Sequence, residues 1–573
     1  MGEIHYVHGP PGTGKTYFLQ RKVEQSVDEY GADKVLVCSL TKTAAGEILA
    51  RGVNLPKGQV GTLHSICFRA LGVTKDMMVD ESDKALESFN AENPRWYVSK
   101  DDARDVSKGK QLLHAYGLMR CRMVPPDEYV AKASRCGGGI YSSLVHEFVA
   151  AYEAWKQSRE LRDFTDLLTE ALAWVKVAPG SPAVILCDEA QDFSALEGAL
   201  IRQWAEAAEL TYLVGDPNQS IYCWRGADPT IFSAHPVDPE NEIVLSQSYR
   251  VPRAVHAYAQ RVIERLESRD QSMYLPRDEE GEVVASGATF REPAALLREI
   301  EEAESRGEEV LILAYSASQL SGVLRMMREQ GIPFHNPWVK VWRGGGVSNA
   351  NVAVWNPLRV AAPGRDGARP PVSAADWLVA LFGDQTGQPM TFEDARRWTE
   401  PLGASGAPLK VGAKAWLASR PGAENMDMDE LFRWFALGEL DPAFLALTHD
   451  DVKARLRWYL RAATVGPKVP RLAYPAAIVA RYGPSRLRAT PNVIVSTIHG
   501  AKGRQAPVVI VLPDLAVPTM DSLERPDVRD EAIRCAYVAA TRAERRLVIC
   551  RYGHRRSEVS SQRRLFPPVK EMR

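Results

Sequence analysis

The stretch Gly9-Pro10-Pro11-Gly12-Thr13-Gly14-Lys15-Thr16 has the residue types and spacing to hold a phosphate chain. It fits GxxxxGK[ST], in which the glycines let backbone N–H groups converge on phosphate oxygens at the start of a helix. Lys15 can reach the β- and γ-phosphates of a nucleotide, and the Thr16 hydroxyl can ligate Mg²⁺. Such a loop needs a second carboxylate on a neighbouring strand. Val184-Ile185-Leu186-Cys187-Asp188-Glu189 supplies it, with Asp188 where the apolar run ends and Glu189 next to it. Asp188 would stand beside the metal, and Glu189 would orient or deprotonate an attacking water. The chemistry implied is nucleotide hydrolysis.

These residues have to be positioned by strands and helices in a particular order. Ile4 to Val7 predicts a strand before the loop, and Tyr17-Phe18-Leu19 the opening of a helix after it. Short apolar runs recur at wide spacing: 35–37, 184–186, 212–214, 243–245, 310–313, 493–495, 508–512 and 547–549. Runs of this length suit strands buried on both faces, as in parallel sheets covered by helices. The fold class predicted is α/β, with one group of strands before about residue 250 and another after about 305. Two stretches break the rhythm and read as insertions: a charged, helix-forming one at 75–162, and one at 345–488 rich in Pro, Gly and Trp.

The chain then resembles one family, the UvrD/Rep-like helicases of superfamily 1. Asp188-Glu189-Ala190-Gln191-Asp192 resembles its DExQD box. Ser39-Leu40-Thr41-Lys42-Thr43 is similar to its motif Ia, and Gly61-Thr62-Leu63-His64-Ser65 to Ib. Asp163-Phe164-Thr165-Asp166-Leu167-Leu168 is similar to the stretch that re-enters the first RecA-like domain. Gly215 to Tyr222 with Trp224-Arg225-Gly226-Ala227 matches motif III. Ser248-Tyr249-Arg250, Thr497 to Gly503 and Tyr537 to Ala543 resemble motifs IV, V and VI. The order is that of the family.

The resemblance implies two RecA-like P-loop domains, each carrying an inserted, mostly helical subdomain. The boundaries expected are 1–74 with 163–255 for the first domain and 75–162 for its insert, then 256–344 with 489–573 for the second domain and 345–488 for a reduced insert. It implies an ATP-dependent DNA helicase moving 3′ to 5′ on single-stranded DNA in repair, replication or recombination, with ATP and Mg²⁺ as cofactors. Lys15, Asp188, Glu189, Gln219, Arg250 and Arg542 would be catalytic. Gln219 would sense the γ-phosphate, and the two arginines would approach it from the second domain. Gly9 to Thr16, Tyr249, Gly503 and Gln505 would hold ATP, Tyr249 by stacking on adenine. Thr16 and Asp188 would hold the metal. Thr41, Thr62, His64, Trp224, Arg225, Thr497 and His499 would contact DNA, Trp224 as a base-stacking platform. The partners expected are single strands and single-strand/duplex junctions, with replication, repair or nuclease proteins beside them and the chain a monomer or dimer. A translocase that does not unwind by itself, and a subunit of a nuclease complex, stay open as alternatives.

Three departures stand out. The family carries an adenine-reading glutamine some twenty residues before the P-loop, and here the loop begins at Gly9. Motif Ia has Leu40 where a stacking phenylalanine is usual. Motif V continues Gly503-Arg504-Gln505, with a neutral side chain where the family has a glutamate. Eight of the 13 tryptophans (338, 342, 355, 377, 398, 416, 434 and 458) fall in or just before the second insert, where they read as small-domain core. Val452 to Arg461 reads as an amphipathic helix with a basic face.

Composition sets the outer limits. The 573 residues hold 71 Lys+Arg against 72 Asp+Glu, a net charge of −1, which excludes a uniformly basic nucleic-acid binder. The neutrality is a cancellation: residues 541–573 hold nine Arg and one Lys against three Glu, a net of +7, and residues 262–309 hold six Arg against fourteen acids, a net of −8. The 8 cysteines form no CxxC pair, so neither a zinc site nor a disulfide framework is predicted. With no leader and no membrane span in the pattern, a cytoplasmic protein of a bacterium or phage is expected.

Overall fold

The computed structural model describes residues 2–39, 55–56, 58–79, 83–99, 107–129, 142–232, 238–266, 268–335, 391–393, 396, 410–425, 434, 474, 477–478, 481–482, 486, 490–553 and 564–569. They belong to two compact units. The first takes in Met1–Val283, Val517–Arg545 and Gln562–Lys570, and the second Val284–Ala516, Arg546–Ser561 and Glu571–Arg573.

The first unit is built on a six-stranded sheet in the order β3-β2-β4-β5-β1-β6. Its strands are β1 (Glu3–His8), β2 (Val35–Ser39), β3 (Val60–Thr62), β4 (Val184–Asp188), β5 (Leu210–Gly215) and β6 (Glu242–Val244). Every neighbouring pair is parallel. Both faces are apolar, as the continuous runs require. On β2, Leu36 and Cys38 enter one core while Val35 and Val37 enter the other; on β4, Ile185 and Cys187 pair off against Val184 and Leu186 in the same way. Helix α1 (Lys15–Tyr30) covers one face through Leu19 and Val23. Helix α2 (Leu63–Ala70) and the helices Phe164–Trp174 and Ala195–Ala205 cover the other.

The 75–162 insertion is helical, with α3 (Asp83–Glu92), α4 (Lys108–Cys121) and α5 (Ser142–Gln157). Phe89, Trp96, Phe148, Tyr152 and Trp155 give it a separate core. Its ends are pinned to each other: the Val79 N–H donates to the Arg162 carbonyl at 2.7 Å, and the Arg162 N–H to the Met77 carbonyl at 2.8 Å. The chain re-enters the sheet domain through α6 (Phe164–Trp174) and continues into α7 (Ala195–Ala205). Both helices open with capping boxes, Asp163 with Asp166 and Ser194 with Glu197.

Past β6, the strands β7 (Gln247–Pro252) and β8 (Leu275–Arg277) form a small parallel pair around α8 (Arg253–Ile263). Residues 256–283, 517–545 and 562–570, which the expected boundaries place in the second domain, cluster with the first unit. Packing of a late helix against α8 draws them there.

The second unit holds the other six-stranded sheet, ordered β11-β12-β10-β13-β14-β9. Its strands are β9 (Glu282–Ser286), β10 (Val310–Ala314), β11 (Phe334–His335), β12 (Val493–Thr497), β13 (Ala506–Leu512) and β14 (Ala543–Cys550). The β11–β12, β12–β10 and β10–β13 pairs are parallel. Helices α9 (Leu296–Ser305) and α10 (Ser321–Glu329) follow β9 and β10. Thr41, the basic helix at 452–461 and most of the second insert lie outside the described residues. Of the insert's tryptophans, Trp416 and Trp434 are described, and their rings stack 5.3 Å apart. Among the described residues no helix is long and apolar enough to cross a membrane, and every described cysteine is a free thiol.

Candidate functional site

The first unit gathers its chemistry at the carboxyl ends of its strands, as open α/β sheets do. Gly9 follows β1, Asp188 closes β4, and Asp216 follows β5. Asp188 is not on the strand next to the P-loop. β5 lies between β4 and β1, so two strand spacings, roughly 10 Å, separate them, and the space between falls to Asp216.

The loop is shaped for an anion. Gly14 caps α1 with φ 86°, and a side chain on Gly9 would meet Lys15 Cγ at 2.3 Å. Gly12 has φ +76°, and a Cβ there would lie 2.4 Å from Arg250 Cβ and 2.8 Å from Ser248 Oγ. The closeness comes from β7, which clasps the loop. The Tyr249 N–H donates to the Gly12 carbonyl at 2.8 Å, and the Ser248 and Tyr274 hydroxyls donate to the Pro11 carbonyl at 2.9 and 3.0 Å. Gly12→Ala is therefore expected to cost about 1–2 kcal/mol for the left-handed backbone alone. The added methyl also pushes against Arg250 and Ser248, so kcat/KM for nucleotide is expected to fall as well. Steady-state kinetics check it, and a loss under twofold would show that this contact does not matter.

Three cations and three carboxylates converge here. Burial lowers the Lys15 pKa, while Glu189, Asp216 and Asp188 pull it up and Arg250 pushes it down further. The Lys15 ammonium donates to the Gly9 carbonyl at 2.5 Å. Arg542, 2% exposed, has its pKa pushed down to about 9 by burial and by Arg250, against the pull of Glu189. It is aimed by its own Nε–H to the Val538 carbonyl at 3.0 Å, and its Nη2 donates to Gln219 Oε1 at 2.7 Å. Arg250 Nε is buried without a hydrogen-bond partner among the described residues. Lysine and arginines with donors turned inward form a site for a polyanion, and the cradle around Gly9 and Gly12 fits a phosphate chain.

The carboxylates are held by neighbouring amide side chains: Gln219, expected at the phosphate site, and Gln191, whose part the sequence did not show. Glu189 takes a left-handed backbone, φ 53°, at the end of β4. Gln191 donates to Glu189 Oε2 at 2.5 Å, and its own oxygen accepts from the Asp216 N–H at 3.0 Å. Asp216 accepts from Gln219 Nε2 at 2.6 Å, and burial pushes its carboxyl up to about 6. Tyr249 and Tyr17 flank the loop with rings 73% and 64% exposed. His8, at the end of β1, binds Asp270 at 2.8 Å; burial would lower its pKa, but Asp270 outweighs that and raises it.

A second site lies in the same unit, a cleft of about 710 Å³ between the sheet domain and its helical insert. It brings together Thr62, His64, Trp224 and Arg225. Trp224 is 51% exposed. Phe164, the first residue of α6, is 58% exposed, and its ring meets that of His64 edge-on at 6.1 Å. Its place straight after the Asp163 cap was the signal the sequence offered. Burial lowers the His64 pKa, against the pull of Glu197.

Thr497 and His499 belong to the second unit and repeat the local geometry of Thr62 and His64. Thr62 closes β3 and its hydroxyl accepts from the Ser65 N–H at 3.2 Å; Thr497 closes β12 and accepts from the Gly500 N–H at 3.3 Å. A histidine follows two residues after each threonine. Gly503, with φ +84°, and Gln505 lie before β13 in the second unit.

A P-loop on a parallel sheet, with carboxylates at the strand ends and arginines facing the loop, defines a nucleotide-hydrolase fold of the RecA-like kind. Residues 2–239 match the UvrD/REP helicase N-terminal domain, and residues 481–553 the UvrD-like helicase C-terminal domain. Together these cover more than half of the chain, which belongs to the UvrD/Rep-like helicases of superfamily 1. It is similar to the ATP-dependent DNA helicase UvrD1 of Mycobacterium tuberculosis, 24% identical over 94% of this chain and 79% of that one. The ATP-dependent DNA helicase PcrA of Bacillus subtilis is 26% identical over 47% of this chain, and that of Staphylococcus aureus 26% over 55%. These matches span 39% and 46% of the two PcrA chains, less than half of their length.

Proposed function

We propose that this chain is an ATP-dependent DNA helicase that moves 3′ to 5′ along single-stranded DNA, in the cytoplasm, serving repair, replication or recombination. The observation that carries the reading is the loop 217–225. It supplies Gln219 to the phosphate site and Trp224 to the cleft, so the two sites share one segment.

Each residue then has a task. Lys15 and the P-loop N–H groups bind the phosphates. Glu189, aimed by Gln191, takes the proton of the attacking water. Arg250 and Arg542 stabilise charge on the transferring phosphoryl group. The Thr16 hydroxyl and the Asp188 carboxylate are hard oxygen donors of the kind Mg²⁺ takes, and the ion they would hold neutralises phosphate charge. Among the described residues no group of three metal-ligating side chains is present. Tyr249 stacks on the base, with Gly503 and Gln505 assigned to the nucleotide. Thr62, His64, Thr497 and His499 are assigned to the strand's backbone. Trp224, with Arg225 and Phe164, stacks on its bases.

The test is ATP hydrolysis with and without single-stranded DNA, together with unwinding of 3′-tailed and 5′-tailed duplexes. Stimulation by DNA and unwinding from the 3′ tail are expected. Hydrolysis indifferent to DNA would sink the motor, unwinding only from a 5′ tail would reverse the polarity, and translocation without unwinding would leave a translocase. In the same assays Trp224→Ala is expected to weaken binding of single strands by about 1–3 kcal/mol, roughly 5–150-fold, the worth of one stacked base. Unchanged affinity would remove Trp224 from the track.

A further inference from the structure

Residues 268–274, between α8 and β8, run without a helix or strand of their own. Side chains hold them in place. The Asn218 amide pairs with the backbone of Asp270 in both directions: its Nδ2 donates to the Asp270 carbonyl at 2.9 Å, and its Oδ1 accepts from the Asp270 N–H at 3.0 Å. One oxygen of the Asp270 carboxylate accepts from His8 Nδ1 at 2.8 Å. The other accepts from the Ser272 N–H at 2.9 Å and from the Ser272 hydroxyl at 2.7 Å. Four residues after Asp270, the Tyr274 hydroxyl donates to the Pro11 carbonyl at 3.0 Å. One irregular strap thereby grips the end of β1, the loop after β5 and the P-loop, three parts of the phosphate site.

Asn218 stands directly before Gln219 in the single 3₁₀ turn Pro217–Gln219. A turn this short is poorly held by its own hydrogen bonds, so its orientation depends on outside anchors. The Asp216 carboxylate supplies one, accepting from the Asn218 N–H at 3.0 Å. The Asn218 side chain supplies the other. With its oxygen and its nitrogen both engaged by one peptide backbone, the amide can neither flip nor rotate without losing both bonds. Gln219, 4% exposed, turns its Nε2 to Asp216 at 2.6 Å and presents its Oε1 to Arg542 at 2.7 Å. The strap itself is fixed at a buried point, since His8 is 8% exposed and its bond to Asp270 is charge-assisted.

We propose that Asn218 is a positioning residue for ATP hydrolysis: the 270–274 strap, tied to His8 and Pro11, clamps the Asn218 amide and so keeps Gln219 aimed at the phosphate site beside Arg542. The proposal rests on the assignment of Gln219 to that site.

The experiment uses the full chain with ATP, Mg²⁺ and a thymidine oligonucleotide, and reads kcat and KM separately. Asn218→Ala removes both amide bonds and is expected to lower kcat about tenfold while KM for ATP stays within about threefold, because Lys15 and the P-loop are untouched. The deciding measurement is the pair Gln219→Ala and Asn218→Ala/Gln219→Ala. If Asn218 acts through Gln219, removing it from the Gln219→Ala protein changes kcat less than about twofold; a general loss of folded structure would multiply instead. His8→Leu releases the far end of the strap and is expected to lower kcat about threefold with the same dependence on Gln219, which keeps the test open should Asn218→Ala fail to fold. Multiplying losses, a loss confined to KM, or an Asn218→Ala protein with the parent's kcat beside an impaired Gln219→Ala protein overturn the proposal. A Gln219→Ala protein with the parent's kcat would refute the assignment of Gln219 itself, and the proposal with it.

Discussion

Replacing Arg542 with alanine is expected to lower ATP turnover by about 10³–10⁵-fold, the range that an arginine facing a transferring phosphoryl group contributes. The guanidinium is 2% exposed, lies close enough to Arg250 and Glu189 to feel both charges, and donates to Gln219 at 2.7 Å. In so buried a setting its charge is weakly screened, and the field it places on developing negative charge is correspondingly strong. Its pKa, lowered to about 9, still leaves it protonated at neutral pH, so the catalytic charge is present. Affinity for nucleotide should fall far less than turnover, because Lys15 and the P-loop N–H groups remain. Arg542→Lys keeps a charge but not the fork that meets Gln219, and is expected to recover only a small part of the rate. Single-turnover hydrolysis beside binding of a fluorescent nucleotide separates the two effects. A variant within tenfold of the parent's turnover would take Arg542 out of the reaction, provided its thermal unfolding matches the parent's.

How much of this could be read beforehand depends on distance along the chain. The P-loop is legible because its chemistry is local: Gly9 to Thr16 are consecutive, and the flanking strand and helix are set by their own residues. The buried strands were legible for a similar reason, since Leu36 and Val37 on opposite faces both need apolar surroundings. Asp216 was not, because its weight comes from β5 separating β4 from β1, a matter of strand order that no local pattern encodes. Gln191 sits inside a recognisable box, yet its role depends on reaching Glu189 two residues away and Asp216 twenty-five away at once. Arg542 was expected from a second domain; only the packing of the helix Pro526–Ala540 on α8 groups it with the P-loop. The strands β7 and β8 are short and partly exposed, so their apolar signal is thin. Phe164 draws its importance from a cleft built by other segments.

The stability of the first unit turns on a different charged cluster, and Lys156→Met is expected to destabilise it by about 3–5 kcal/mol, the cost of breaking a buried pair by removing one partner. Lys156 is 2% exposed. Its ammonium meets Asp166 at 2.6 Å, Glu153 at 2.9 Å and Asp163 at 3.1 Å. Arg120 meets the same two aspartates at 2.5 and 2.6 Å. Arg120 comes from α4, Lys156 from α5, and the aspartates from the capping box of α6, so the cluster ties the helical insert to the sheet domain at its neck. With Lys156 gone, two half-buried carboxylates share one guanidinium, and burial of the second charge is no longer offset. Burial by itself would lower the Lys156 pKa, but Asp163 and Asp166 outweigh it and raise it above 10.5. A raised cation contributes its stability below the ordinary pKa and loses it as pH climbs past the folded-state value, so the parent should hold this contribution across the whole neutral range. On the acid side the two aspartates oppose one another. The Asp163 pKa is lowered, because although burial raises it Arg120 and Lys156 prevail, so its contribution fades as pH falls. The Asp166 pKa is raised by burial and by Asp163, which works the other way. The variant's deficit should therefore change little between pH 6 and 9. Urea unfolding at several pH values measures it, with hydrogen exchange in α4 and α5 to locate the loss. Lys156→Arg should recover part of it. A deficit below about 1 kcal/mol, or one spread evenly over the sheet domain, would mean that the aromatic core of the insert, and not this cluster, holds the neck together.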